Sequence, residues 1–204
     1  MWRRVAPSVV STFAAGAKTY VLVAMMGVVQ GFVRFHVALG DAAATKNRGA
    51  ELQGNVGRAL GGGTWFNTNR FAAMWWRDAD TVESSRRDSG GGNLPNAGTG
   101  SSAQRLVVLR YEWDAKAGGV DTVSVALFSD NEPLTEAQFD TQKSSIDTPE
   151  GFDQSQFNVL TIAGARYSVA DIRIGQCWED ITTGRCPFDV VTTTTPPPPP
   201  PPPP

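Results

Sequence analysis

FNVLTIAGARYSVADIRIGQCWEDI, residues 157–181, is the stretch that decides the fold. Residues 157–163 and 167–174 each divide their side chains between two faces with a period of two, which is typical of half-buried β-strands. Ala163-Gly164 turns the chain between the two runs, and Gly175 ends the second one. We therefore predict two strands joined as a hairpin, followed by a short exit segment.

Short apolar runs of this kind recur upstream, between polar segments that are rich in glycine. A chain with 21 glycines and many such runs is typical of an all-β sandwich. The further expected strands are residues 20–29, 32–39, 50–58, 71–77, 106–113 and 120–128. The expected core positions share one phase of the alternation: Val33, Phe35, Val37, Val123, Val125, Leu127, Ile172 and Ile174. We predict a flexible loop at Gly61-Gly62-Gly63 and one helical turn over residues 134–139.

Two motifs resemble the concanavalin A-like lectin/glucanase domains of the LamG-like jelly-roll type. VADIRIG, residues 169–175, followed by Trp178 and Asp180, resembles the closing strand of that family. LVVLRYEWDAKAGGVDTVSVALF, residues 106–128, is similar to its central hairpin. The resemblance covers roughly residues 18–180. It implies a two-sheet antiparallel jelly-roll sandwich, in which a concave sheet face is a common ligand groove.

Composition divides the chain into three parts. Residues 1–17 carry an arginine pair and small or apolar residues, which we interpret as a degenerate first strand, with a signal-like segment as the alternative. Residues 18–190 hold the sandwich. Residues 191–204 are a Thr/Pro-rich linker, expected to be a disordered polyproline II spacer. A proline-rich ligand for a partner domain is the alternative, and we expect the chain to be part of a longer multidomain protein.

The charge balance narrows the classes of partner. A net charge of -2 with 19% charged residues argues against nucleic acid as a main partner. The most apolar run, residues 20–29, is far shorter than the ~20 residues that a membrane helix needs. The partners left are a glycan or an extracellular protein.

The two cysteines, Cys177 and Cys186, lie close together near the end of the sandwich. We predict a disulfide between them, with two free thiols as the alternative. A disulfide implies an oxidising compartment, and hence an extracellular or cell-surface setting.

The sequence supplies no pattern for a metal or a cofactor, and we predict neither. His36 is the single histidine, and no C-x₂-C pair is present. Asp41, Asp78 and Asp80 fall in expected loops, but they form no ordered Asp-x-Asp-x-Asp-Gly calcium motif.

The candidate ligand-binding residues are strand residues on polar faces, together with aromatic residues near them. If the polar faces coincide, they line one side of a sheet, where aromatic rings provide platforms for sugars. The candidates are Arg34, His36, Trp75, Arg110, Glu112, Trp113 and Arg173. For the adjacent tryptophans we expect Trp75 to be partly exposed and Trp76 to be buried. The alternative for the polar faces is a solvated surface with cross-strand ion pairs.

These residues predict a non-catalytic carbohydrate- or protein-binding module of a secreted or surface protein. The alternatives are a glycoside hydrolase-like enzyme with an atypical or lost site, and a purely structural module. Retaining glycosidases need two closely placed carboxyls. Glu112-Trp113-Asp114 matches part of the glucanase motif, but Ala117 stands where the second Glu of that motif belongs.

Overall fold

The computed structural model describes residues 2–4, 16–27, 35–41, 59–64, 71–76, 104–116, 118–129, 132–150, 157–164 and 167–184. The strands are β1 (Trp2–Arg4), β2 (Lys18–Gly27), β3 (Phe35–Asp41), β4 (Ala59–Thr64), β5 (Phe71–Trp76), β6 (Gln104–Glu112), β7 (Thr122–Ser129), β8 (Ser144–Asp147), β9 (Phe157–Gly164) and β10 (Tyr167–Gly175). The helices are α1 (Glu136–Gln142) and α2 (Trp178–Thr182).

The strands form two five-stranded antiparallel sheets packed face to face. The A sheet has the strand order β1-β9-β3-β4-β5, and the B sheet has the order β10-β2-β6-β7-β8. A hydrogen bond from the Tyr111 hydroxyl to the Leu60 carbonyl, 3.0 Å long, joins the two sheets inside the sandwich. The predicted all-β, two-sheet antiparallel jelly-roll sandwich is therefore confirmed.

The central hairpin is formed as the sequence predicts. β6 pairs with β7 in a continuous register that runs from Arg105 opposite Ser129 to Glu112 opposite Thr122. The turn between them is fastened by the Asp121 carboxylate, which accepts a 2.8 Å hydrogen bond from the Asp114 amide. A short connection and matched alternation fix this pairing locally.

The predicted hairpin of residues 157–174 is wrong in its pairing. β9 lies in the A sheet between β1 and β3, whereas β10 lies in the B sheet beside β2. Two alternating runs with a short connection have the same local pattern whether they pair with each other or cross from one sheet to the other. Here the chain crosses the sandwich.

The core between the sheets contains most of the expected positions. Val37, Val123, Val125 and Leu127 are buried in it. Ile172 and Ile174 pack against this core but are only partly buried. They lie on β10, the outermost strand of the B sheet in the described part of the chain. Val33 lies outside the described residues, as does the side chain of Phe35.

The glycine triplet predicted as a loop is instead the middle of β4, so that prediction is wrong. Gly62 faces the core, and a Cβ built on it would lie 2.8 Å from a methyl carbon of Val125 in the opposite sheet. β4 therefore approaches the B sheet at a distance that only glycine allows at this position.

The outer face of the B sheet carries a second apolar layer. α1 covers it with Phe139, and α2 covers it with Trp178 and Ile181. The strand residues beneath are Tyr20, Leu22, Ala24, Val108, Ala126 and Phe128. The predicted helical turn at residues 134–139 thus corresponds to α1, whose N-cap Thr135 accepts a hydrogen bond from the Gln138 amide.

α2 is placed by the two residues that resemble the family's closing motif. Trp178 packs against the rings of Phe139 and Phe128, with centroid distances of 5.7 and 6.4 Å. Asp180 accepts a 2.9 Å hydrogen bond from the Gln176 amide, and its side chain lies directly against Gly175. The glycine that ends β10 therefore leaves room for the helix that follows.

Several of the predicted segments lie partly or wholly outside the described residues. The expected strand at residues 50–58 lies outside the described residues, as does the linker at residues 191–204. Within residues 1–17, β1 pairs with β9, placing Trp2 opposite Thr161. No helix in the described part of the chain is long and apolar enough to cross a membrane.

Candidate functional site

Arg110 is the centre of the densest group of charged side chains in the described residues. It lies on β6 between Tyr20 of β2 and Ser124 of β7, on the outer face of the B sheet, and is only 6% exposed. Its Nη1 is 3.0 Å from Asp140 Oδ1 and 3.6 Å from Glu136 Oε1, both on α1. Its Nε is 3.7 Å from Glu112 Oε2.

Further contacts extend this group on both sides. The Lys18 ammonium is 3.3 Å from Glu112, and the Lys143 ammonium is 2.6 Å from Asp140. The Tyr20 hydroxyl donates a 2.8 Å hydrogen bond to Glu136, and the Arg110 guanidinium lies 5.1 Å from the centre of the Phe139 ring. We call Lys18, Tyr20, Arg110, Glu112, Glu136, Asp140 and Lys143 the Arg110 cluster. Its three cations balance its three carboxylates, so its formal charge is zero.

The electrostatics of the cluster favour fixed protonation states near neutral pH. The hydrogen bond from Lys143 lowers the pKa of Asp140, and the positive charge of Arg110 lowers it further. Burial raises the pKa of Tyr20, and its hydrogen bond to the Glu136 carboxylate raises it more. Asp140 therefore stays ionised and Tyr20 stays neutral, which suits a structural ion network better than proton transfer.

The partial glucanase motif does not form a pair of carboxylates in a shared site. Glu112 is the last residue of β6 and is held by Lys18 and Arg110. Asp114 lies beyond the strand, where its Oδ1 accepts a 2.6 Å hydrogen bond from the Lys116 amide and its side chain lies against Gly119. Glu112 therefore belongs to the ion network, and Asp114 stabilises the turn.

Trp75 and Trp113 lie inside the sandwich. Trp75 is 8% exposed, so the prediction that it is partly exposed is wrong. Trp113 is 4% exposed; its Nε1 donates to Thr19 Oγ1 at 2.8 Å, and its ring stacks on Tyr111 at 5.3 Å. Their burial leaves neither ring face open to a sugar. The side chain of Trp76 lies outside the described residues, so its burial stays a prediction.

The remaining predicted residues do not share one sheet face, and that prediction is wrong. His36 lies in β3 of the A sheet, whereas Arg110, Glu112 and Arg173 lie in the B sheet. Arg34 lies outside the described residues. The expected common face assumed that polar residues of different strands belong to the same sheet, which the alternation within one strand cannot decide.

Arg173 serves the local structure around α2. Its Nε lies 2.7 Å from Asp171 Oδ2 on the same strand. Its Nη1 donates hydrogen bonds to the carbonyls of Thr182 at 2.9 Å and Ile181 at 3.3 Å, at the C-terminal end of α2. These carbonyls have no partner within the helix, so a cation there stabilises it.

The sequence did not predict that Glu136 and Asp140 of α1 belong to the Arg110 cluster. Glu136 and Asp140 are spaced four residues apart, which puts both carboxylates on one side of a helix. Together with the Thr135 cap, that spacing is a signal for a helix with an acidic side. The spacing does not predict which strand residue the acidic side of the helix contacts.

The outer face of the A sheet is the second candidate surface. Val37 and Leu39 face the core, so the alternation places positions 36, 38 and 40 of β3 on the outer face. The register sets His36 opposite Gly63, and it sets Ala38 opposite Gly61. Glycine and alanine thus dominate the middle of this face.

Comparisons with known proteins establish no family for this chain. No protein-family model matches it, and no curated protein matches it in sequence. Among solved structures, a single mutant of congerin II is 10% identical, with a TM-score of 0.43, covering 86% of this chain and 98% of its own. Lactose- and MES-liganded congerin II is 10% identical, with a TM-score of 0.38 and the same coverage.

A peptidase appears among the structural neighbours as well. Scytalido-glutamic peptidase bound to a transition-state analogue inhibitor is 8% identical, with a TM-score of 0.35, covering 80% of this chain and 76% of its own. Sandwiches with such different roles lie at comparable scores, all below 0.5. These likenesses therefore carry no argument about the ligand or the chemistry of this chain.

The described residues bear on metal binding and on the predicted disulfide. Across the residues that the structure describes, no group of three or more His, Cys, Asp or Glu side chains is arranged to hold a metal ion. Cys177 is the N-cap residue of α2, whereas Cys186 lies outside the described residues. The bond between the two cysteines therefore stays a prediction.

Proposed function

We propose that this chain is a non-catalytic module that binds carbohydrate at the outer face of the A sheet. The observation that carries the proposal is the closure of the outer face of the B sheet. The outer face of the B sheet is closed by α1 and α2, and its central cation is enclosed by the carboxylates of the Arg110 cluster. We therefore assign the ligand to the rim of the outer face of the A sheet, at positions 36 and 76, because the middle of that face is buried as well: Ala38 is 1% exposed and Ala59 is 0% exposed.

The strip formed by β3, β4 and β5 has a layout that suits a sugar. Positions 36 and 76 lie at opposite corners of the outer face, two strands and four residues apart, which is about 16 Å in a regular sheet. Between them lie Ala38, Gly61 and Ala59, all of them buried. We therefore propose that the ligand contacts the residues at the two corner positions, a histidine and a tryptophan, and an aromatic ring with nearby polar groups suits a sugar.

Two contacts support the non-catalytic part of the proposal. The only near match to a glycosidase motif supplies Glu112, which is paired with two cations, and Asp114, which fastens a turn. Neither carboxylate is placed beside the other as a retaining mechanism requires. A hydrolase-like enzyme remains the alternative from another class.

The first prediction concerns the ligand face. On a glycan array and in titrations with the best glycan, we expect Trp76→Ala to weaken binding by about tenfold or more, because the sugar loses its aromatic platform. This factor corresponds to about 1.4 kcal/mol. His36→Ala should also weaken binding, since it removes a hydrogen-bonding group from the opposite corner.

Lys116→Ala is the matched control, because Lys116 is exposed in the β6–β7 turn, far from the A sheet. It should bind as the native chain does. Absence of binding by the native chain to any glycan would favour a purely structural module. Release of reducing ends from β-glucans or galactans that disappears in Glu112→Gln would overturn the non-catalytic assignment.

We further propose that the module works outside the cell, as part of a longer multidomain chain. The spacing of Cys177 and Cys186 and the proline run after residue 195 support this setting. A protein partner at the same face is compatible with the proposal, and it is distinguished by competition with the bound glycan.

The second prediction concerns the disulfide. We expect no reactive thiol in the unfolded, unreduced protein. We also expect the Cys177→Ser/Cys186→Ser double variant to lose about 2–3 kcal/mol of unfolding free energy, because a closed loop restricts the unfolded chain. Thiol titration and urea denaturation measure the two effects. Two reactive thiols per chain would rule the bond out.

A further inference from the structure

α1 is too short to be stable on its own. It has seven residues, and isolated helices of that length do not persist in water. Phe139 is its one buried residue, and the Gln142 side chain adds a 3.1 Å hydrogen bond to the Leu127 carbonyl. The other contacts from α1 to the B sheet come from Glu136 and Asp140, which bind Arg110 and Tyr20. The helix is therefore held by the fully buried Phe139 ring and by ion pairs whose carboxylates are 43% and 46% exposed.

The surface under α1 is apolar. Leu22, Val108, Ala126 and Phe128 are all buried on the outer face of the B sheet, and Phe139 packs with them. Removing α1 would bring this surface into contact with water. Arg110 sits among these residues, and the attachment of α1 adds two carboxylates to the one that Glu112 of β6 supplies.

We propose that α1 is an acid-releasable cover, held over the apolar face of the B sheet by the carboxylates of Glu136 and Asp140 and released when Asp140 is protonated. A guanidinium buried without anionic partners is costly, and it is readily hydrated once the cover leaves. The surface that opens is the part of this apolar layer that Trp178 and Ile181 of α2 do not cover.

All the charged and titratable groups described around Arg110 affect the electrostatic interaction between α1 and the B sheet. β2 contributes Lys18 and Tyr20, β6 contributes Glu112, and α1 contributes Glu136, Asp140 and the adjoining Lys143. Protonation of Asp140 removes one negative charge and leaves the three cations in place. The cluster then changes from neutral to a net charge of +1, and Asp140 no longer attracts Arg110.

The direction of the pH dependence follows from Asp140. Its pKa lies below the ordinary value of 3.8 in the folded protein. A group of this kind contributes stability that is fully present above its unfolded pKa and is lost as the pH falls through its folded pKa. Release is therefore expected only below about pH 3.8.

Amide hydrogen exchange tests this directly on the full chain. The Phe139 and Lys143 amides report on α1, because they donate to the Thr135 and Phe139 carbonyls. The Val107 and Leu109 amides of β6 report on the core. After correction for the intrinsic exchange rate, we expect protection in α1 to fall at least tenfold between about pH 7 and pH 3, while protection in β6 is kept. Binding of an apolar dye should rise over the same range.

Two variants make the test specific. Glu136→Gln/Asp140→Asn mimics the acid state, so α1 should be at least tenfold less protected at neutral pH and show no further dependence on pH. Arg110→Met removes the buried charge and leaves the carboxylates repelling one another. In that variant acid should leave the protection of α1 unchanged or raise it, the reverse of the native response.

Three results would overturn the proposal. Protection of α1 that is constant from neutral pH to about pH 3 in the native chain would exclude acid release. A parallel fall in Arg110→Met would show that the cluster does not control the helix. Loss of protection in β6 together with α1 would show global acid unfolding instead of local release.

Discussion

Trp178→Ala is expected to lower the free energy of unfolding by about 3–5 kcal/mol, as truncation of a buried tryptophan does. Trp178 is buried at the centre of the outer layer of the B sheet, where its ring contacts those of Tyr20, Phe128 and Phe139. No other side chain of the short helix α2 is large enough to fill the resulting cavity. Urea denaturation followed by circular dichroism measures the loss.

Glu179→Ala is the control for this prediction, because Glu179 is the next residue of α2 and is exposed. We expect it to change stability by no more than about 0.5 kcal/mol, as surface substitutions usually do. A loss below about 1 kcal/mol in Trp178→Ala would mean that the outer layer contributes little to folding. The sandwich would then be stabilised by the core between its sheets alone.

Gly62→Val is expected to cost about 3 kcal/mol or more. A single Cβ at this position would lie 2.8–3.0 Å from three side-chain carbons of Val125, which is closer than van der Waals contact allows. Valine adds two further methyl groups in the same gap, and overpacking of a well-packed core is destabilising. β4 would have to move away from the B sheet, which also strains its pairing with β3 and β5.

A double-mutant cycle tests the physical reason for this second effect. Val125→Ala removes the methyl groups that face Gly62, at the cost of a cavity. If the clash is the cause, Gly62→Val/Val125→Ala should be more stable than the sum of the two single effects by about 1–2 kcal/mol. Additive losses would indicate that glycine is required at position 62 for a reason other than the contact with Val125.

The closed outer face of the B sheet changes how the polar strand residues are interpreted. In the sequence, Arg110 and Glu112 look like a hydrophilic surface that could contact a ligand. In the structure, Arg110 is as buried as many core residues, because α1 comes back over it and supplies Glu136 and Asp140. Of the two interpretations made from the sequence, the solvated surface with cross-strand ion pairs is correct for the pairing of Lys18 with Glu112, but Arg110 is buried and not solvated.

The candidate site could be predicted only in part for the same reason. The sequence indicated that Arg110, Glu112 and Arg173 lie on the polar faces of their strands, and the structure places them on outer faces. The sequence did not predict the ion-pair partners of these residues, because Asp140 is far from Arg110 in the sequence and no pattern in the strand indicates the contact. His36 was placed correctly on a strand but grouped with residues of the other sheet.

The sequence by itself determined the local elements. Period-two alternation located most of the strands that the structure describes, and the short connection after Glu112 fixed the β6–β7 hairpin and its register. Residues 135–140 carry both the cap and the acidic spacing of α1. These features depend on neighbours within a few residues, so the local chain contains the information.

Only the tertiary structure decided which face of each strand is buried and which sheet each strand joins. Alternation has the same period on both faces, so it could not choose between Trp75 and Trp76 for the core. The same short connection could make β9 and β10 a hairpin or a crossing between sheets, and three glycines could form a loop or a strand pressed against Val125. Each choice depends on contacts between residues far apart in sequence, where packing of the whole sandwich sets the free energy.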